Sequence, residues 1–116
     1  MTRLLVHIVT GPENATRATL GLLVAKTALT EGHDVDVFLA GDAVSFLRPV
    51  TRQGTTGLGT GNAAEHWAAL VAGDARLYGS GLSSKARGVT AEEGVELATP
   101  DRLVALTMEA DRVLVY

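Results

Sequence analysis

The sequence predicts an α/β fold in which helices cover both faces of a parallel sheet, and three observations carry that expectation. Short β-branched runs alternate with longer stretches of helix formers. The first 42 residues read strand, helix, strand, and such a crossover almost always joins parallel neighbours. The alternation then continues to the C-terminus, which requires helices on both sides of one sheet. At 116 residues the chain has the length of a single domain, 1–116, with one core.

Leu4 to Val9 is apolar except for His7 and stops at Gly11-Pro12, the pattern of a strand buried on both faces. Ala15 to Thr30 holds helix formers without proline, and Gly32 follows where helices commonly end in a left-handed residue. Val35, Val37, Phe38 and Leu39 form the second strand, which ends at Gly41-Asp42. Pro49 to Gly61 is rich in Gly and Thr and is expected to be a mobile loop. Asn62 is placed to cap a helix through Trp67, Leu70 and Val71, with Gly73 ending it before a strand from Ala75 to Gly79. After an irregular segment, Thr90 and Glu93 have capping-box spacing for one short turn closed by Gly94. Val95 to Ala98 is a short strand, Thr99-Pro100 opens a helix to Ala110, and Val113 to Tyr116 is the last strand.

The first helix is unusually apolar. Leu20, Leu22, Leu23, Val24, Ala25, Ala28 and Leu29 spread over more than one stripe, whereas a helix with one face in water shows a single stripe. Two readings are open: part of this helix meets another subunit, or other segments of the same chain cover it.

Composition narrows the function classes. Apolar residues are 47% and charged residues 20%, a folding rather than a disordered balance. A net charge of −3 provides no positive field for phosphate backbones or anionic lipid, so neither nucleic acid nor a membrane is an expected partner. The chain has no cysteine, which excludes disulfides, thiolate metal sites and any sulfur nucleophile, and fits a reducing compartment. With no run approaching a membrane span and no signal-peptide pattern, the expected location is the cytoplasm.

In a parallel sheet, ligands collect beyond the carboxyl ends of the strands. Three segments reach that edge: Gly11-Pro12-Glu13-Asn14, Gly41-Asp42, and Ser80 through Gly88. The third is the richest, because hydroxyls of Ser80 and Ser83 and the cations Lys85 and Arg87 lie beside glycines, a composition suited to a small anion. The competing reading has Ser83 capping a turn while Lys85 and Arg87 are solvated surface charges. Glu13 and Asp42 could form an acid/base pair, although helix and turn capping is the simpler role for both. A serine nucleophile needs an adjacent base. His7, His33 and His66 fall on separate elements, none predicted near Ser80, and their spacing gives no metal site. The series Gly57-x-Gly59-x-Gly61 lacks the context of a dinucleotide fingerprint, so no cofactor is expected.

Gly11-Pro12-Glu13-Asn14-Ala15-Thr16-Arg17-Ala18-Thr19-Leu20, Phe38-Leu39-Ala40-Gly41-Asp42 and Lys85-Ala86-Arg87-Gly88-Val89 together resemble the DsrE/DsrF-like (YchN-like) family. The likeness extends to Gly94-Val95-Glu96 and to Glu109 through Val113, and so spans nearly the whole chain. It implies a three-layer α/β/α fold with a five-stranded parallel sheet and assembly into dimers, trimers or hexamers. Several relatives are sulfur-relay proteins that carry a persulfide on a cysteine after the third strand. The matching position is Ser80, and a second cysteine of many relatives falls on Ser83. A serine hydroxyl cannot hold a transferable persulfide, so the relay role does not carry over. The expected function is therefore a non-catalytic homo-oligomeric binding protein with a small-anion pocket. The alternatives are a hydrolase or transferase using Ser80 or the Glu13 and Asp42 carboxylates, and an accessory subunit of a sulfur-relay complex.

Overall fold

The computed structural model describes residues 2–116. Five parallel strands form the sheet: β1 (Arg3–Ile8), β2 (Asp34–Leu39), β5 (Arg76–Ser80), β6 (Val95–Ala98) and β7 (Arg112–Val115), in the order β6-β5-β2-β1-β7. Helix α1 (Ala15–Thr30) joins β1 to β2, α3 (Ala63–Ala72) precedes β5, and α5 (Pro100–Glu109) joins β6 to β7. The strand order explains the layers. From β1 to β6 every crossover moves the same way, and right-handed connections then place α1 and α3 on one face. The return from β6 to β7 reverses direction and carries α5 over the other face. The three-layer α/β/α expectation holds.

The core divides accordingly. Under α1 and α3, Val6, Ile8, Val37, Leu39 and Leu77 pack against Leu22, Ala25, Trp67 and Leu70. On the opposite face, Leu5, Phe38 and Tyr78 meet Leu106 of α5. That second face also carries charge. Asp36, wholly buried within β2, accepts from Arg3 Nε at 3.0 Å and from Arg76 Nε at 2.5 Å. A carboxylate inside a sheet requires such partners, because an unpaired buried charge is strongly destabilising.

The apolar first helix is covered in part by its own chain. Ala18, Gly21, Leu22, Ala25 and Ala28 are buried, Leu23, Val24 and Leu29 are half-buried, and only Leu20 among the expected residues reaches 37% exposure. The chain thus buries the side of the helix that carries Leu22 and Ala25 and leaves Leu20, Leu23, Val24 and Leu29 partly open. Gly32 ends the turn after it with φ +89°, as expected.

Four expectations need correction. The segment Pro49–Gly61 is ordered: α2 (Pro49–Gln53) opens with proline at its first position, and β3 (Thr56–Gly57) pairs antiparallel with β4 (Gly61–Asn62). Its residues serve docking rather than flexibility. Thr60 Oγ1 bonds Thr19 Oγ1 at 2.6 Å, and the Leu58 amide donates to Thr16 Oγ1 at 3.0 Å, pinning the hairpin on α1. Gly57 is required there, since a Cβ would collide with the hydroxyls of Thr60 and Thr19. The segment after β5 is also regular, forming α4 (Gly81–Arg87) with Ser80 as its cap. Thr90 and Glu93 form no capping box, because no helix follows and Glu93-Gly94 makes a turn into β6. Finally, β1 ends at Ile8 rather than Val9, and its far face is only partly covered: Val9 is exposed and His7 half-buried. Asn62 does cap α3, accepting from the Ala64 and Glu65 amides, while its Nδ2 donates to Gln53 and Thr55 carbonyls.

Candidate functional site at the carboxyl edge

Because β5, β2 and β1 are neighbours, the three segments expected at the carboxyl edge meet in space. Gly11 follows β1 and turns tightly against the next loop, where a Cβ would strike the Asp42 carbonyl and lie 2.8 Å from Glu13 Oε1. Gly41 adopts φ +55° and donates its amide to Ser83 Oγ at 2.9 Å, tying the β2 loop to α4. Ser80 Oγ accepts from the Ser83 amide at 3.1 Å and so caps α4. The chain Ser80, Ser83, Gly41 is thus a continuous clamp between two adjacent strand ends.

The charged candidates are organised differently. Asp42 Oδ1 accepts from Arg87 Nε at 3.2 Å and Nη2 at 3.1 Å, and Arg87 Nη1 also reaches the Ser83 carbonyl at 3.2 Å. Arg87 therefore pairs with Asp42 through one carboxylate oxygen, in an ion pair open to solvent. Lys85 is exposed and, among the described residues, makes no ion pair. With Arg87 it stands in the last turn of α4, where cations favour the negative end of the helix dipole. Asn14 accepts from the Arg17 amide at 3.1 Å, so its side chain serves α1. Glu13 lies exposed in a 3-10 turn, Pro12–Asn14, ahead of that helix. The structure brings Gly11, Glu13 and Asp42 together, and Gly41, Ser80, Ser83 and Arg87 together, with Asp42 joining the two groups.

No imidazole or carboxylate is among the hydrogen-bond partners of Ser80 or Ser83. His66 Nε2 lies 2.7 Å from the Thr60 carbonyl, which requires that nitrogen to carry the proton, and so helps to hold the hairpin. His7 packs edge-on against Phe38 with centroids 5.7 Å apart, its Nε2 buried without a partner. Burial pushes its imidazole pKa below the ordinary histidine value. His33 stands in the turn before β2. Among the described residues no group of His, Asp and Glu is arranged to hold a metal ion, and no helix is long and apolar enough to cross a membrane.

Sequence reasoning missed one cluster entirely. Arg52, placed in the supposed loop, is buried, stacks 4.8 Å from the Trp67 ring centroid and grips Glu92. An arginine amid glycines and threonines, with a lone tryptophan following, was the available signal.

Comparison with known proteins agrees with this architecture. A curated relative, the uncharacterised protein MK0008 of Methanopyrus kandleri, is 37% identical over 114 residues, covering 96% of this chain and 91% of that protein. The crystal structure of the YchN protein from E. coli superposes with a TM-score of 0.83 over the whole of both chains at 21% identity, which establishes the common fold. The DsrE/DsrF-like family model matches residues 3–116. With five parallel strands between helical layers and a match along nearly its full length, the chain belongs to the DsrE/DsrF-like family.

Proposed function

We propose that this protein is a non-catalytic member of its family that self-associates and holds a small anion at the junction of Gly41 and Ser83. The observation that carries the reading is the state of Ser80. At the place where the resemblance puts a sulfur-carrying cysteine, a hydroxyl oxygen caps α4 and has an amide as its partner. Such an oxygen is neither a persulfide carrier nor, lacking a base, an activated nucleophile. Both serine oxygens act as acceptors within the clamp, and each retains a proton to donate. Those two protons are the groups offered to an anion; Arg87, one helical turn beyond Ser83, joins them by leaving Asp42.

Self-association is supported by the face that α5 covers alone. Val115 of β7 is 62% exposed and Met108 of α5 is 79% exposed, an arrangement suited to burial against a second copy. Light scattering on the purified chain is expected to read a multiple of the protomer mass, and a monomer at all concentrations would remove this part. Phosphate is expected to raise the melting temperature more in the native chain than in a Ser83→Ala, Arg87→Gln double variant. Equal shifts in both would reduce phosphate to its general excluded-solute effect and remove the anion site.

A further inference from the structure

We propose a second, separate binding site: the cleft beside Trp67 takes a small apolar molecule bearing one positive charge, an organic ammonium. The cavity measures about 440 Å3, inside the roughly 300–1,000 Å3 range of small-molecule pockets. It lies on the α1 and α3 face of the sheet, toward the amino ends of β5 and β6. Its floor is the register pair Leu77 and Val95, whereas Ser80 closes β5 at the opposite end. Trp67 and Val71 of α3 form one wall. Val71 is 54% exposed and Leu77 is buried, so apolar surface runs continuously from the rim to the sheet.

The polar groups gather on one side and their charges do not cancel. Arg52 donates to the Phe46 carbonyl at 2.7 Å and reaches the two Glu92 oxygens at 2.6 and 3.3 Å. Its guanidinium is thereby neutralised, and a carboxylate ligand could take it only by driving Glu92 out beside Glu93. Glu93 has no cationic partner among the described residues. One guanidinium and two carboxylates leave a net single negative charge facing an apolar cleft. An anion meets repulsion there, a neutral molecule leaves the charge unanswered, and an ammonium on an apolar body complements both features.

Trp67 is the chain's single tryptophan, so its fluorescence reports the cleft directly. The probes are 2-phenylethylammonium, 3-phenylpropionate and 2-phenylethanol, titrated against the full chain. The expected result is a saturable change with the ammonium, and weaker binding of the alcohol and of the carboxylate. Glu93→Gln is expected to weaken the ammonium about two- to fivefold, as removal of one exposed charge does, and to erase its advantage over the alcohol. Ala72→Phe fills the cleft from an exposed position and is expected to abolish the change; Ala68→Leu, also exposed and lining the cleft, serves if that variant melts early. Carboxylate binding as tight as ammonium binding would overturn the proposal. So would the absence of a saturable change, or cleft-filling variants that titrate like the native chain.

Discussion

On the face of the sheet beneath α1 and α3, Val6, Ile8, Val37 and Leu39 are completely buried, whereas on the other face α5 alone spans the strands and leaves Val115 of β7 62% exposed. Beneath α1 and α3 the strands contribute apolar side chains, with the pair of Arg52 and Glu92 set beside Trp67, and the second face mixes Leu5, Phe38 and Tyr78 with a buried carboxylate, two guanidiniums and a histidine. The difference follows from chain direction. Successive crossovers in one direction stack their helices on one side, and a single return strand supplies only one helix for the other. One face is therefore covered by local succession along the chain, except at the cleft over Leu77 and Val95. The other depends on ion pairing and remains open to further cover.

The largest effect that sharpens this comparison is expected from Leu22→Ala, which empties a wholly buried position beneath α1. The expected loss is about 2–5 kcal/mol, read as a lower urea midpoint with an unchanged slope. A loss as small as that of a surface substitution would break the comparison.

A smaller, pH-dependent effect is expected from His7, on the less covered face. Its folded-state pKa lies below the ordinary histidine value because burial disfavours the imidazolium. The unfolded chain then binds more protons in the window between the two values. Stability is complete above about pH 6.5 and falls as pH drops from there toward the lowered folded value. His7→Leu is expected to flatten that limb of the urea-midpoint profile, and a limb of unchanged steepness would assign it to other groups.

The smallest effect on the protomer is expected from Met108→Lys combined with Val115→Lys. Both positions are exposed, so the change in protomer stability should stay within about 0.5 kcal/mol per site. Light scattering should nonetheless show a lower mass than the native chain, since two charges would enter the surface proposed to meet another copy. A large loss of protomer stability would mean that this face is already completed within the chain.

Much of this architecture was legible in residue order. The strand pattern at Val35 to Leu39, the cap at Asn62, the stop at Gly73 and the proline opening at Pro100 are local signals, and each coincides with the element it predicts. Pro49 to Gly61 was misread because glycine and threonine are normally associated with flexibility. Here Gly57 is needed for close approach, and Thr16, Thr19 and Thr60 bond across more than forty positions, a relation that composition does not encode. The candidate site was half legible. Its members converge as the parallel sheet requires, but the pairing of Arg87 with Asp42 and of Ser83 with the Gly41 amide joins positions on different loops.

By itself, the sequence determined the class of fold, the sequence of its elements and the absence of a sulfur nucleophile, because periodicity, caps and residue chemistry act over a few neighbouring positions. Only the tertiary structure decided which polar groups neutralise one another, which helix faces are covered, and where a cavity opens beside Trp67. Those outcomes depend on strand order and on how close distant segments come, and a hydrogen bond or ion pair exists only when both partners reach the same few ångströms of space.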